Sequence, residues 1–239
     1  MIILKKKMYR KTPLTIYLIS VIIILTLFIS TILLQKIYKI PSKITRKIIH
    51  IFTGPLFILT WKLYPKGNYG KLSSTLPFLA SAIFFTLHIL KKYKISEFIK
   101  NILSRSGDSI ELIEGPFFYG ILIGILTSIF YLNHPIGIIT ILILCFGDGL
   151  ADISGSNFNS FILPSFFGRK TFFGCFSFIF FSFFFSCLYC FYFFRKWFFF
   201  NCFVLSFLGC GIEFFSPSKY DNITIAFGVA FIGYNFLKW

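Results

Sequence analysis

Apolar residues along this chain come in long runs separated by short polar connections. The runs predict membrane spans at about 14–34, 48–64, 72–90, 117–132, 135–147, 172–194, 197–212 and 223–237, several of them reaching the roughly 20 residues a helix needs to cross a bilayer core. The fifth is short. Tyr131–Pro135 and Arg195–Lys196 are tight connections, and the largest loops are about 91–116 and 147–171. No stretch is long or polar enough for a separate domain, and no internal repeat is visible. The pattern therefore predicts an all-α polytopic integral membrane protein with about eight transmembrane helices, a single transmembrane domain over 1–239. The first run follows Lys5, Lys6, Lys7, Arg10 and Lys11, as in the charged start of a signal peptide. It is longer than the apolar part of such a peptide and no small-residue cleavage site follows, so it reads as a retained helix.

Composition agrees. The hydrophobic fraction is 56% and the charged fraction 13%, against about 25% charged in soluble domains. Mean hydropathy is +0.82. Phenylalanine dominates the aromatics and packs against lipid without needing a hydrogen-bond partner. The net charge of +16 invites a nucleic-acid partner, but the lysines sit in short runs between spans, where they meet lipid phosphates and anchor helix ends; no nucleic acid is expected. Most of the six cysteines fall inside apolar spans, as small hydrophobes do. Cys187 and Cys190 form a C-x-x-C, but no second pair or nearby histidine completes a zinc set.

The acids are more informative. There are eight: Glu97, Asp108, Glu111, Glu114, Asp148, Asp152, Glu213 and Asp221. Counting crossings, spans two and three, four and five, and six and seven each return the chain to the face it left. All eight acids are thus predicted on one face of the membrane or just inside it. Lys and Arg divide almost evenly between the faces and do not orient the protein.

Five clusters carry candidate chemistry. Arg46, Lys47 and His50 open span two, with Arg46 and His50 on one helix face; they suit phosphate or another anion, or simply end a basic helix. Asp108, Glu111 and Glu114 recur every third residue before Pro116, where neighbours share a face; the plainer reading is a solvated helix start. Asp148 and Asp152 are four apart at the end of an apolar span, beside Gly147, Gly149 and Gly155. Like charges at that spacing repel. A cation relieves this, and Mg²⁺ typically takes one or two carboxylates plus substrate phosphates. Lys170, Thr171 and Gly174 open span six with a basic, glycine-flanked start that suits phosphate, although it is not a Walker A sequence. Last come Glu213 and Asp221-Asn222-Ile223-Thr224, where Asp221 can also cap span eight.

Taken in order, the clusters resemble the polyprenol kinase family, most closely its phytol kinase branch. R-K-x-x-H stands at Arg46, Lys47 and His50; G-D-x-x-E-L-x-x-G-P-x-x-Y runs from Gly107 to Tyr119; G-D-G-x-A-D-x-x-G from Gly147 to Gly155; K-T-x-x-G at Lys170, Thr171 and Gly174; and D-N-I-T from Asp221 to Thr224. The resemblance covers about 40–237. Ser156 and Asn159 stand where the family often has Arg and Gly, and Cys175 where Ser is usual. The resemblance implies a membrane-embedded kinase that moves a phosphate from a nucleotide, typically CTP, to the hydroxyl of phytol or a related isoprenoid alcohol. It also implies a place in isoprenoid metabolism, tocopherol biosynthesis included, and a plastid membrane, or the endoplasmic reticulum for another alcohol. Asp148 and Asp152 are then the expected Mg²⁺ ligands and, with Lys170, the catalytic set. Gly147, Gly149, Gly155, Lys170, Thr171 and Gly174 face the nucleotide. Arg46, Lys47, His50, Asp108, Glu111, Glu114, Glu213, Asp221 and Asn222 handle phosphate or substrate. The physics concurs: phosphoryl transfer asks mainly for positioning and charge stabilisation, and a lipid-soluble alcohol meets a nucleotide only at the membrane surface. The rivals are a lipid nucleotidyltransferase of the phosphatidate cytidylyltransferase kind and a transporter or scaffold. A transporter predicts polar residues at mid-span, and few are present.

Overall fold

The computed structural model describes residues 12–65, 67–90, 110–111, 113–158, 161–165, 170–217 and 219–239. Among these, eight helices form the molecule: α1 (Pro13–Tyr38), α2 (Ser42–Thr60, extended by a 3₁₀ turn Trp61–Leu63), α3 (Gly70–Ile89), α4 (Ile113–Ile129), α5 (Pro135–Asn157), α6 (Phe172–Phe194), α7 (Phe199–Phe214) and α8 (Asp221–Phe236). The only strands described are β1 (Ile162–Leu163) and β2 (Lys170–Thr171), an antiparallel pair in which Leu163 faces Lys170.

Local chemistry explains the boundaries. Thr12 caps α1 by accepting from the Thr15 N–H at 3.3 Å, with Pro13 in the first turn, where its missing N–H costs nothing. Lys39 ends α1 at φ 53°, a left-handed stop. His134 Nδ1 accepts from Ile136 N–H at 3.2 Å ahead of Pro135, and the Thr171 hydroxyl accepts from Gly174 N–H at 3.2 Å to start α6. α8 differs slightly from expectation: Asp221 is its first residue rather than its cap, and the Asp221 carboxylate accepts from Asn222 N–H at 2.6 Å.

α1, α3, α5 and α6 are long and apolar enough to cross a membrane, while α4 and α7 are apolar but shorter. α5 is the pillar: 78% of its apolar stretch is buried, against 17% for α1, 28% for α3 and 33% for α6. Ile136, Ile138, Ile139, Ile141, Leu142 and Ile143 of α5 are fully buried. Phe176, Phe180 and Phe184 of α6 stack at successive helical turns, centroids 6.0 and 6.2 Å apart, and are about half exposed on the outer surface.

The fifth span corrects the expectation. It does not stop at residue 147 but continues to Asn157, and the wider connection expected over 147–171 shrinks accordingly. The glycines there do not break the helix, because membrane helices tolerate Gly and Leu150, Ala151 and Ile153 extend the apolar pattern. Asp148 and Asp152 thus lie inside a continuous helix. At Ile143–Asp148 the helix widens into π-turns, a distortion frequent at functional sites.

Candidate functional site

α2 and α5 pack so that two turns of charged residues meet. Lys47 Nζ lies 2.8 Å from Asp152 Oδ2 and 3.6 Å from Asp148 Oδ2. His50, one turn further along α2, places Nε2 3.2 Å from the same Asp148 oxygen and 3.2 Å from the Leu144 carbonyl oxygen. Both neighbours only accept, so Nε2 carries a proton. The Lys47 and Asp148 side chains are 8% and 12% exposed, while Asp152 is 38% exposed and opens outward. The like-charge repulsion that called for a cation is therefore met inside the chain by the Lys47 ammonium. One lysine against two carboxylates still leaves a negative charge at this point.

Tyr119 of α4 locks the arrangement from behind. Its hydroxyl donates to the His50 carbonyl oxygen at 2.7 Å and lies 2.9 Å from Cys145 Sγ, and its ring sits 4.5 Å from the His50 imidazole. The second charged group is built from the hairpin and α7: Lys170 Nζ pairs with Glu213 Oε1, both largely buried. A third pair, Lys219 with Glu114 at 2.5 Å, joins the turn before α8 to the start of α4. Glu114 raises the pKa of the exposed Lys219.

These groups share one cleft of about 1140 Å³, larger than the roughly 300–1,000 Å³ of a usual single-ligand pocket. All six described acids line it: Glu111, Glu114, Asp148, Asp152, Glu213 and Asp221. So do Arg46, Lys47, His50 and Asn222, and Gly155, Lys170, Thr171 and Gly174. Asp108 and Glu97 lie outside the described residues. Arg46, Lys47, Lys170 and Lys219 stand against those six carboxylates, so the formal charge of the described lining is −2 with every carboxyl ionised. Among the described residues no group of three or more His, Cys, Asp or Glu is arranged to hold a metal by itself. Asp148 and Asp152 converge on Lys47 Nζ; in kind and number the two carboxylates are what a Mg²⁺ ion takes beside water and phosphate.

The glycines divide. Gly155 and Gly174 face each other across α5 and α6 beside the Thr171 hydroxyl; a Cβ on Gly155 would meet it at 2.7 Å. Gly147 and Gly149 serve helix contacts instead: added Cβ atoms would strike Ser182 Oγ at 2.5 Å and Ile51 Cγ1 at 2.3 Å. Small residues admit close helix approach in membranes. The C-x-x-C cysteines are buried and unbridged.

Sequence reasoning missed the other half of the cleft. Below the charges it becomes apolar, walled by Val21, Ile24 and Ile32 of α1, Phe57 of α2, Leu76 of α3 and Ile123 of α4. α1 precedes the stretch that carries the motifs, and an apolar lipid-facing helix carries no local signal that one of its faces lines a cavity. Lys219 was missed for a different reason: a lone turn lysine looks ordinary until Glu114 is placed beside it.

Fold and site together define a polytopic helical membrane protein with a cleft that is charged at one end and apolar at the other. Over part of its length the chain is similar to chloroplastic isoprenoid-alcohol kinases. It is 38% identical over 129 residues to probable phytol kinase 2 of Oryza sativa subsp. japonica, covering 52% of this chain and 40% of that protein. It is 32% identical over 153 residues to phytol kinase 1 of Arabidopsis thaliana, covering 64% and 50%, and 37% identical over 123 residues to the farnesol kinase of the same plant, covering 52% and 40%. Along these stretches the chain is similar to proteins named phytol kinase and farnesol kinase. It spans 40–50% of the length of these three relatives. No family model and no solved structure matches it.

Proposed function

We propose that this chain acts in a plastid membrane as a kinase that transfers the terminal phosphate of a nucleotide, CTP being the expected donor, to the hydroxyl of phytol or a related isoprenoid alcohol. One observation carries the reading: a single cleft joins all the described carboxylates to an apolar arm, so a charged donor and a lipid acceptor can meet there. The relatives named phytol kinase and farnesol kinase, chloroplastic, support the substrate class and the compartment.

In this reading the alcohol tail lies in the apolar arm and its oxygen reaches the level of Asp148 and Asp152. That oxygen attacks the terminal phosphorus, the bond from phosphorus to the bridging oxygen breaks, and the nucleoside diphosphate leaves. The alcohol proton passes to one of the two aspartates. Lys170 and Arg46 neutralise phosphate oxygens, with Lys170 exchanging its Glu213 partner for the donor. His50 and Tyr119 hold Asp148 in place. Asp148 and Asp152 are the residues that would hold Mg²⁺, which supplies charge neutralisation for the phosphates and the transferring group; a polyanionic donor entering a net-negative lining calls for it.

The test is product analysis. Membranes containing the protein are given terminally labelled CTP or ATP, Mg²⁺ and a panel of isoprenols. Label in phytyl or farnesyl monophosphate, with release of nucleoside diphosphate, is expected. Release of pyrophosphate instead would move the protein to the nucleotidyltransferases, and no labelled lipid with any isoprenol would overturn the proposal.

A further inference from the structure

The apolar arm reaches the outside of the bundle sideways. Two side-chain contacts between α1 and α3 are described. Near one end the Thr75 hydroxyl lies 3.3 Å from that of Tyr17. Towards the charged end the rings of Phe28 and Phe84 stand 6.4 Å apart, centroid to centroid, in an apolar cluster with Ile32, Ile49 and Leu87. Between these contacts run eleven residue steps of α1 and nine of α3, about 16 and 14 Å of helix.

Leu25, Leu79 and Ile83 lie in that interval. Each lines the cleft, yet each is more than half exposed, at 53%, 55% and 59%. A side chain that both lines a cavity and is open to the surroundings marks the rim of an opening. Leu14, Leu18 and Ile22 continue the same stripe of α1 as Leu25 and are also exposed, but they do not line the cleft. These three side chains are apolar, and α1 and α3 are helices long and apolar enough to cross a membrane, so the opening between the two contacts faces hydrocarbon. The other approach to the cleft passes the carboxylates, which a long apolar tail would have to cross through water.

We propose that the window between α1 and α3, framed by Tyr17–Thr75 and Phe28–Phe84, is the entrance through which the isoprenoid alcohol slides from the bilayer into the apolar arm. This rests on the function proposed above for the substrate's chemistry, and not on it for the window. The tail enters sideways and stays among apolar side chains throughout. The hydroxyl moves up past Phe28 and Phe84 to the aspartates, while the nucleotide arrives from water at the charged mouth. α1 thereby acquires a role outside the chemistry, as the movable jamb of the window; it is the least buried of the four long apolar helices.

The test blocks the rim. The double variant Leu25→Trp, Leu79→Trp keeps both positions apolar, so insertion should be retained, and thermal unfolding of the reconstituted protein checks this. Phytol is presented in the bilayer and prenol, a short water-soluble isoprenoid alcohol, in the buffer. kcat/KM for phytol should fall at least about tenfold while that for prenol is unchanged, because the short alcohol reaches the aspartates from water. Equal loss for both alcohols, or no loss for phytol, overturns the window. If the unsubstituted protein phosphorylates neither alcohol, the proposed function falls and the window is judged by labelling alone. A phytol analogue with a photoreactive tail end should then mark the 17–28 and 75–84 segments of the original protein and not of the double variant; identical labelling would overturn it.

Discussion

α1 and α5 are both apolar helices of bilayer-spanning length, and their fates are opposite. α1 is the more hydrophobic, with a hydropathy of 2.7 against 2.0, yet only 17% of its apolar stretch is buried against 78% for α5. In water the more apolar helix would be the better buried. In lipid the tails are as apolar as leucine, and association depends on close packing and polar contacts. α5 has Gly147 and Gly149 where α6 and α2 press against it, and Asp148 and Asp152, which need partners. α1 has a continuous aliphatic surface that lipid satisfies as well as protein does. The buried pillar holds chemistry at fixed distances, and the exposed helix is free to border a lipid entrance.

If that contrast is right, the largest effects belong to the contact between the pillar and α2. Lys47→Ala would leave Asp148 buried with only His50 beside it. Removing one partner of a buried ion pair typically costs about 3–5 kcal/mol, so a marked fall in unfolding temperature in detergent or nanodiscs is expected. Asp148→Asn removes the charge without the volume and should spare the fold. Turnover should nevertheless fall at least about a hundredfold, the scale of losing a main electrostatic contribution to catalysis, at saturating Mg²⁺. The double variant Lys47→Ala, Asp148→Asn should recover much of the lost stability and none of the activity. Near-normal turnover in Asp148→Asn would break the assignment of chemistry to the pillar.

A smaller effect is expected at the second charged group. Lys170 pairs with Glu213 but sits on β2 rather than on the pillar. Lys170→Ala should raise nucleotide KM by about tenfold or more, as loss of a charged hydrogen bond does, with less change in alcohol KM. Lys219→Ala, at an exposed pair, should leave both constants unaltered; steady-state kinetics with each substrate varied in turn separates the cases.

Much of this was legible in the residues, for identifiable reasons. Runs of apolar side chains mark spans because a bilayer demands length; counting crossings put the acids on one face, and the six described acids line one cleft. Asp148 and Asp152 stood out because carboxylates are costly beside an apolar segment. What was not legible depends on contacts between distant parts of the chain. Lys47 reads as a helix-end base until α2 is laid on α5. Gly147 reads as a glycine facing the nucleotide until the Phe178 ring and Ser182 are seen filling the space. The length of α5 was underestimated because glycines that break soluble helices are tolerated in this one.

The smallest effect tests the other side of the comparison. Leu18 and Ile22 are 51% and 61% exposed and take no part in lining the cleft. Truncating a buried leucine to alanine costs about 2–5 kcal/mol because a cavity remains. On the outer face of α1 no cavity forms, since lipid flows into the space and supplies equivalent contacts. Leu18→Ala and Ile22→Ala should therefore leave unfolding temperature and phytol turnover unchanged, within the roughly 0.5 kcal/mol usual for surface substitutions. Ile24 supplies the internal control. It stands two residues beyond Ile22, hence on the opposite side of the helix, and it lines the cleft. Ile24→Ala should leave stability nearly unaltered too, because α1 is barely buried, but should raise the KM for phytol by removing a wall of the arm. A stability loss at Leu18 or Ile22 as large as a core truncation would show that another surface covers this face, and α1 could then not serve as the movable side of a lipid window.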